Sequence, residues 1–208
     1  MNKNTSKEIV SLLREVIPNP KCELDYTNMF ELLVAVMLSA QTTDKRVNIV
    51  TKELFSKYST PYELMNASYD DVYNIICPVG LAKNKTKNLL ELSKSLYENY
   101  ASIVPNTIEE LTKLPGVGRK TASVILAEGF KLPAFPVDTH VHRIGYRLGY
   151  YKKDASVLEA EKTLTKYIPR EDWIDGHHLF LLFGRYHCKA INPSCSNCKL
   201  DKYCKIKK

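Results

Sequence analysis

Lys120 is the side chain of this sequence that is best placed to act as a nucleophile. It follows the run Leu114-Pro-Gly-Val-Gly-Arg119, which lies between two segments of helical pattern at 107–113 and 119–130. Because glycine adopts positive φ readily and lets another backbone come close, the run predicts a tight hairpin. The free N–H groups that open the second helix then suit an anion such as a phosphate. Such turns, and lysines near helix starts, are also common without a function, but a phosphate anchor beside an amine indicates chemistry on DNA.

Asp138 is the second candidate for chemistry, eighteen residues after Lys120. A proline-containing linker at 131–136 precedes it and a helical pattern at 139–149 follows it, so Asp138 is placed to cap that helix. A capping carboxylate is held in one orientation and kept ionised by the amides that donate to it. If the linker separates two lobes, we expect Asp138 to accept the proton of Lys120 across a cleft and to stabilise a developing cation. This pair fits attack on a sugar anomeric carbon with formation of a Schiff base; the alternative is that Asp138 is a cap alone.

Four of the six cysteines form a compact group within 17 residues, spaced Cys188-x6-Cys195-x2-Cys198-x5-Cys204. Since no export signal is visible, a disulfide framework is disfavoured and the four thiolates predict a metal centre. Tetrahedral zinc and an iron–sulfur cluster are both compatible with four cysteines. The single Cys-x-x-Cys pair favours iron–sulfur, because zinc sites usually combine two such pairs.

The other cysteines and the histidines carry weaker signals. Cys22 and Cys77 stand alone and are expected to be small buried residues. His140 and His142 are two residues apart and therefore point to different helix faces, and the adjacent pair at 177–178 also lacks metal-ligand spacing. His140 is nevertheless near enough to the capping carboxylate to line the same cleft.

Helical periodicity dominates the sequence and alternating strand patterns are absent, which predicts an all-α fold. Expected helix starts include Thr43, Asn84 and the stretch 154–156, while Pro61 falls between predicted helices. The predicted helices span 5–17, 28–39, 43–57, 69–76, 84–99, 107–113, 119–130, 139–149, 155–167 and 172–186.

The charge of the sequence is unevenly placed. Lysine and arginine outnumber aspartate and glutamate by 30 to 23, a net charge of +7. Residues 185–208 hold seven basic residues and one acidic residue, a net charge of +6, and such a surface attracts a polyanion through counterion release. The longest apolar stretch, 32–38, is too short to span a bilayer. We therefore expect a soluble, intracellular protein with no membrane partner.

Three motifs in this order resemble the bacterial endonuclease III family: LPGVGRK at 114–120, VDTH at 137–140 and the cysteine group at 188–204. The segment LSAQTTD at 38–44 and the turn VGLA at 79–82 are similar as well, so the resemblance covers nearly the whole chain. The family comprises helix–hairpin–helix DNA glycosylases of base excision repair with an associated abasic-site lyase activity. The resemblance implies a cytoplasmic, nucleoid-associated monomer that acts on double-stranded DNA with damaged pyrimidines or abasic sites.

The resemblance also implies an architecture and a mechanism. A six-helix barrel lobe would cover 22–132, with the helix–hairpin–helix at about 107–130, and a cluster lobe would combine 1–21 with 133–208. Lys120 would attack C1′ of a nucleotide carrying an oxidised or saturated pyrimidine such as thymine glycol, and would then cleave the strand by β-elimination. Asp138 would assist its deprotonation and stabilise the oxocarbenium-like state. A mainly structural 4Fe–4S cluster would be held by Cys188, Cys195, Cys198 and Cys204.

The same resemblance assigns contacts with DNA. Gln41 and Leu81 would enter the duplex where the extruded base leaves a gap, which recovers part of the lost stacking. The full set of expected DNA contacts is Gln41, Leu81, Gly116, Val117, Gly118, Arg119, Thr121, His140, Arg143 and Lys189.

Several alternatives stay open at this point. Adenine glycosylases of the same superfamily typically lack the lysine and carry an extra C-terminal domain, which disfavours them, whereas an alkylbase glycosylase is compatible with the sequence. A non-catalytic DNA-binding module would leave the lysine and the aspartate without a purpose. An electron-transfer iron–sulfur protein would leave the hairpin without one.

Overall fold

The computed structural model describes residues 1–206; Lys207 and Lys208, which belong to the predicted cationic tail, lie outside the described residues. Over residues 1–206 every regular element is helical, which confirms the predicted all-α fold. Within that range no helix has the length and apolar character needed to cross a membrane. The helices are α1 (Lys3–Val16), α2 (Met29–Leu38), α3 (Asp44–Lys57), α4 (Pro61–Met65), α5 (Tyr69–Ile76), α6 (Ala82–Tyr100), α7 (Ile108–Leu111), α8 (Arg119–Val124), α9 (Thr139–Arg147), α10 (Val157–Tyr167) and α11 (Trp173–Leu182).

Four shorter helical turns complete the secondary structure of this range. A π-helical turn continues α8 over Ile125–Gly129, and another continues α11 over Phe183–His187. Turns of 3₁₀ type lie at Arg170–Asp172 and Asp201–Tyr203. The predicted helices at 119–130 and 172–186 are therefore each an α-helix that widens in its last turn.

Side-chain caps determine where most of these helices begin. The Thr43 hydroxyl accepts a hydrogen bond from the N–H of Arg46 and opens α3, as predicted. Asp138 opens α9 in the same way, and Ser156 opens α10 through a capping box with the glutamate three residues later. These polar residues satisfy N–H groups that have no partner inside the helix.

Three expectations about local structure are wrong. α6 begins at Ala82 rather than Asn84, because Leu81 adopts a left-handed conformation and starts the helix early. Pro61 is the first residue of α4, where its missing N–H needs no partner. Cys77 is exposed at the end of α5 and Cys22 is only half-buried, so neither is a core residue.

The chain divides into two compact units. The hairpin unit is Glu23–Phe130, and the cysteine unit combines Met1–Cys22 with Lys131–Lys208. In the hairpin unit, α2 is buried on every side from Phe30 to Leu38. A helix that is apolar all round forms the centre of a core, so α2 is the element around which this unit packs.

The cysteine unit has a core of its own, built from both parts of the sequence that contribute to it. Ile9 and Leu13 of α1 are fully buried in one cluster with Ile144 of α9 and Phe180 of α11. Phe135, in the segment before α9, meets the Phe180 ring edge to face at 5.9 Å between ring centroids. The N-terminal helix is therefore an integral part of the unit that carries Asp138 and the four clustered cysteines.

Candidate functional site

The predicted hairpin between α7 and α8 is present and is closed by its own backbone. The N–H of Val117 donates to the carbonyl of Leu114 at 3.1 Å, and Gly116 has a φ of 76°. α8 begins after Gly118 without a side-chain cap, and its first intrahelical bond runs from Ala122 N–H to Gly118 O. The N–H groups that precede this bond point out of the helix start, which is the arrangement that favours an anion.

The packing of the chain requires only one of the two hairpin glycines. A Cβ on Gly116 would lie 2.7 Å from Met37 Cε and 2.9 Å from Asn88 Cβ, so the packing of the chain itself demands glycine there. A Cβ on Gly118 would meet nothing within 4 Å, and its φ of −88° is open to any residue. Nothing in the chain's own packing requires glycine at 118, which leaves room for a ligand backbone to approach at that position.

Lys120 is the second residue of α8 and its side chain is exposed. Its amine makes no hydrogen bond or ion pair with any other group of residues 1–206, so it is available for an external partner. Its neighbours in the predicted contact set are exposed Arg119 and half-buried Thr121. The structure therefore presents the amine directly beside the uncapped start of α8.

Gln41 and Leu81 are brought together in the hairpin unit by two turns that touch each other. Both residues have left-handed backbones, with φ values of 56° and 61°, and both are exposed, Leu81 to 55%. The N–H of Gly80 donates to the Thr42 hydroxyl at 3.1 Å, and a Cβ on Gly80 would lie 2.9 Å from the Gln41 carbonyl oxygen. We call the segments 39–43 and 79–81 the paired turns.

The hairpin and the paired turns occupy the same end of the hairpin unit. Gly116 lies against Met37, one residue before the end of α2, and against Asn88 in the first half of α6. The paired turns follow the end of α2 and precede the start of α6. Lys120, Gln41 and Leu81 are therefore presented by elements that are packed on one another.

Asp138 caps α9 in the cysteine unit, as predicted. Its Oδ1 accepts a hydrogen bond from the N–H of Val141 at 2.8 Å, while Oδ2 accepts none from the residues that the structure describes. The half-buried side chain borders an open depression of about 520 Å³ that is also lined by His142, Arg143 and Tyr146. One carboxylate oxygen thus fixes the group, and the other has no hydrogen-bond donor within the described range.

Arg143 links α9 to the segment that carries the first clustered cysteine. Its Nε donates to the carbonyl of Cys188 at 3.2 Å, and its Nη2 donates to the carbonyl of Gly184 at 2.6 Å and lies 3.2 Å from His140 Nδ1. Burial lowers the pKa of the Arg143 guanidinium from its ordinary value. With three contacts inside the unit, only part of this guanidinium is available to DNA.

Arg147 is a residue of this site that the sequence analysis missed. Its Nη1 lies 3.1 Å from Cys188 Sγ and donates to the carbonyls of Cys188 and Lys189 at 3.2 and 2.9 Å. The available signal was its position four residues after Arg143, on the same face of α9. The side chain of Lys189 itself is exposed.

The four clustered cysteines are free thiols that influence one another. Burial raises the pKa of the Cys198 thiol, and the charges of Cys188, Cys195 and Cys204 add to the shift, so all four sulfurs lie within electrostatic reach. No three Cys, His, Asp or Glu side chains among residues 1–206 lie close enough to hold a single metal ion. Four soft thiolate donors on one turn-rich segment are the ligands that iron–sulfur clusters use, so the donor set fits such a group.

Comparisons with known proteins agree with this geometry. Residues 34–170 match the profile of the HhH-GPD superfamily base excision DNA repair proteins. The chain is 49% identical to endonuclease III of Bacillus subtilis over 92% of its own length and 87% of the relative, and 45% identical to that of Rickettsia felis over 95% and 94%. A solved structure of a trapped endonuclease III–DNA covalent intermediate superimposes with a TM-score of 0.95 at 46% identity, covering 99% of this chain and 96% of that one.

Proposed function

The chain belongs to the endonuclease III family within the HhH-GPD superfamily of base excision DNA repair proteins, and on that premise we propose that Lys120 is its nucleophile. The protein is a DNA glycosylase and abasic-site lyase, with duplex DNA as its substrate. We propose that it removes oxidised or saturated pyrimidines in the cytoplasm, where it acts on the nucleoid.

The observation that carries the proposal is the unpartnered amine of Lys120 beside an uncapped helix start. A phosphate held by the N–H groups of the hairpin would fix the DNA backbone within reach of that amine. The related protein of 46% identity has been trapped as a covalent intermediate with DNA, which supports a nucleophile on the protein. Positioning of this kind replaces an encounter in solution with an intramolecular attack.

The proposed reaction proceeds in four steps. The free amine of Lys120 forms a bond to C1′ while the bond from C1′ to the base breaks, and the base leaves with that electron pair. The sugar ring then opens to a C1′=N Schiff base, with the proton lost from nitrogen balanced by protonation of O4′. Loss of a proton from C2′ expels the 3′-phosphate by β-elimination, and water hydrolyses the imine to release Lys120.

Asp138 is proposed as the catalytic carboxylate. The bond from Val141 N–H keeps it oriented, and its second oxygen is left to accept a proton from the attacking amine. The same negative charge stabilises the positive character that develops on the sugar as the base departs. The cap and the catalytic role therefore use different oxygens of one side chain.

The remaining predicted contacts divide between positioning and extrusion. Gly116, Val117, Gly118, Arg119 and Thr121 belong to the hairpin that would hold a phosphate. His140, Arg143 and Lys189 would add contacts from the cysteine unit. Gln41 and Leu81 would fill the space that the extruded nucleotide leaves in the duplex.

We propose that Cys188, Cys195, Cys198 and Cys204 hold a 4Fe–4S cluster with a mainly structural role. When bound, such a cluster ties the C-terminal segment together and can exchange electrons. Arg147 supports the assignment, because it donates to Cys188 Sγ and thereby orients the sulfur as a partner outside the ligand set would. The pairing of Arg143 and Arg147 with Cys188 also connects this centre to the helix that Asp138 opens.

Borohydride trapping tests the assignment of Lys120, because it reduces a Schiff base to a stable amine. Wild-type protein, Lys120→Ala and Lys113→Ala are each incubated with a duplex that carries one thymine glycol. We expect a covalent adduct with wild type and with Lys113→Ala, which removes an exposed lysine earlier in the same helix–hairpin–helix. Lys120→Ala should give no adduct and no strand cleavage while its DNA affinity stays within about threefold of wild type, because one exposed charge contributes little binding energy.

An adduct or strand cleavage with Lys120→Ala would overturn the nucleophile assignment. Base release by wild type without any adduct, on either this duplex or one with an abasic site, would identify a glycosylase that uses water instead.

A further inference from the structure

Lys85, on α6, is only 6% exposed and has no carboxylate partner among residues 1–206. An ammonium removed from water loses its hydration and is retained only where hydrogen bonds replace it. The other lysines near it in the sequence, Lys83 and Lys87, are exposed, as lysine side chains usually are. Lys85 therefore has a specific task inside the hairpin unit.

The Lys85 amine is bound by the end of α2 and by the first of the paired turns. Its Nζ donates to the carbonyls of Leu38 at 2.8 Å and Ala40 at 2.6 Å, and lies 3.3 Å from the Thr42 hydroxyl. An ammonium has three N–H donors, so these three acceptors match its charged form. Leu38 ends α2, whose last turn contains no basic residue, and Lys85 supplies the positive charge that this helix end favours.

The backbone of the same residue is bound to the second paired turn. The N–H of Lys85 donates to the carbonyl of Leu81 at 3.0 Å and forms the first hydrogen bond of α6. Lys85 thus joins the segment that presents Gln41 to the segment that presents Leu81. The bond from Gly80 N–H to Thr42 Oγ1 adds a second connection between them.

The backbones that Lys85 holds are conformations that need support. Gln41 and Leu81 have positive φ, a conformation that is strained for non-glycine residues unless their surroundings fix it. Without support, the backbone of such a turn would relax toward negative φ, and its side chain would then point in another direction. Stabilisation of these two turns therefore determines where the two exposed side chains point.

We propose that Lys85 is a positioning residue that locks the paired turns in the form in which Gln41 and Leu81 enter the duplex. The inference rests on the proposed function, because it concerns the extrusion step of that reaction. Lys85 touches neither the sugar nor the base; it acts through the two turns. Its loss should weaken extrusion of the damaged nucleotide and leave the covalent chemistry of Lys120 in place.

Two substrates separate these steps. A thymine glycol within a duplex must be extruded before attack, whereas an abasic site in a single-stranded oligonucleotide has no base pair to open. We compare wild type, Lys85→Met and Lys94→Met, where Lys94 is an exposed lysine of the same helix and controls for loss of charge. Single-turnover rates are measured for base release from the duplex and for β-elimination on the single strand, and thermal unfolding reports the fold.

We expect Lys85→Met to lower the duplex rate by about tenfold or more, since misplaced side chains would no longer recover part of the stacking that extrusion loses. Its single-strand rate should stay within about twofold of wild type, and Lys94→Met should match wild type on both substrates. Equal losses on both substrates, or no loss on the duplex, would overturn the proposal.

A second variant keeps the test decisive if Lys85→Met does not fold. Thr42→Val removes the hydroxyl that meets both Lys85 Nζ and Gly80 N–H without burying a new charge. It should lower the duplex rate selectively, and an unchanged duplex rate in folded Thr42→Val would contradict the proposal. Failure of the proposed function itself is distinct, because wild type would then lack both activities.

Discussion

Gly116 and Gly118 occupy one hairpin, yet the packing of the chain requires only the first of them. The positive φ of Gly116 and its contact with Met37 explain that glycine from inside the protein. Gly118 has ordinary dihedral angles and open space where its Cβ would be, so its explanation lies outside the chain. Glycine at 116 is thus explained by packing within the fold, and glycine at 118 by the ligand that we propose.

Replacement of these glycines by alanine should affect different quantities: DNA affinity for Gly118 and stability for Gly116. Gly118→Ala should keep its free energy of unfolding within about 1 kcal/mol of wild type, because alanine adopts its dihedral angles without strain. Its affinity for duplex DNA should fall about tenfold, since the new methyl group would stand where a phosphate approaches the helix start. Gly116→Ala should lose roughly 1–3 kcal/mol of stability through strain and crowding. Urea unfolding and DNA titration measure the two quantities; full DNA affinity in Gly118→Ala would place the phosphate elsewhere.

At the scale of elements, Asp138 caps α9 and is also the carboxylate that we propose for the reaction. Asp138 fixes the start of α9 through Oδ1, and the helix in turn holds Arg143 and Arg147 against the carbonyl of Cys188. A displaced helix start would therefore disturb both the carboxylate and the cysteine segment. The two roles of Asp138 can be separated because asparagine caps helices about as well as aspartate does.

Asp138→Asn should retain the cap and lose the charge. We expect its free energy of unfolding to stay close to that of wild type and its rate of base release to fall by about 10²–10⁴-fold, the usual contribution of a general base. Asp138→Ala should lose about 1 kcal/mol of stability in addition, because it removes the cap as well. Thermal unfolding and single-turnover kinetics give the two values. A near-normal rate in Asp138→Asn would mean that the side chain is a cap alone.

The sequence predicts much of this element structure, and its failures have physical causes. Periodicity and caps locate the long helices well, since Thr43 and Asp138 are capping residues that indicate where α3 and α9 begin. The left-handed backbone of Leu81 gives no such signal, because leucine rarely adopts it and only tertiary contacts impose it. α4 is five residues long and begins with proline, so its pattern resembles a loop.

Lys85 shows why part of the site escaped sequence reasoning. A lysine among other lysines on a helix is usually a solvated charge, and Lys85 lies between exposed Lys83 and Lys87. Its spacing to the buried Leu89 and Leu92 is helical, however, and places it on the apolar face of α6. Periodicity therefore contained the signal, but the carbonyl groups that Lys85 binds become visible only in the folded chain. The sulfur contact of Arg147 was hidden for the same reason.

At the scale of the whole molecule, the excess of positive charge determines how tightly DNA is held. The net charge of +7 attracts duplex DNA of any base sequence, because each phosphate that the protein neutralises releases condensed counterions. In the proposed function the hairpin N–H groups act at short range and position the DNA backbone, whereas the summed charge brings the duplex to the surface. Affinity and positioning thus have different physical origins.

The affinity for undamaged duplex DNA should fall steeply with salt. We expect a loss on the order of a hundredfold or more between about 50 mM and about 200 mM salt, with a linear plot of log affinity against log concentration. Fluorescence anisotropy of a labelled duplex measures the slope, and a neutral osmolyte at matched osmolality serves as the control. A flat plot would mean that contacts other than phosphates dominate binding.

The composition of the cysteine unit sets an order of assembly during synthesis. Its core needs Ile9 and Leu13 of α1, which leave the ribosome before the hairpin unit, and Phe180 of α11, which leaves after it. The hairpin unit is one continuous stretch, so it can fold while the rest of the chain is being made. At usual rates of translation, α1 waits roughly 10–30 s for its partners with its apolar face uncovered. The newborn chain therefore completes the surface that carries Lys120 before the unit that carries Asp138, and the four clustered cysteines emerge after Phe180.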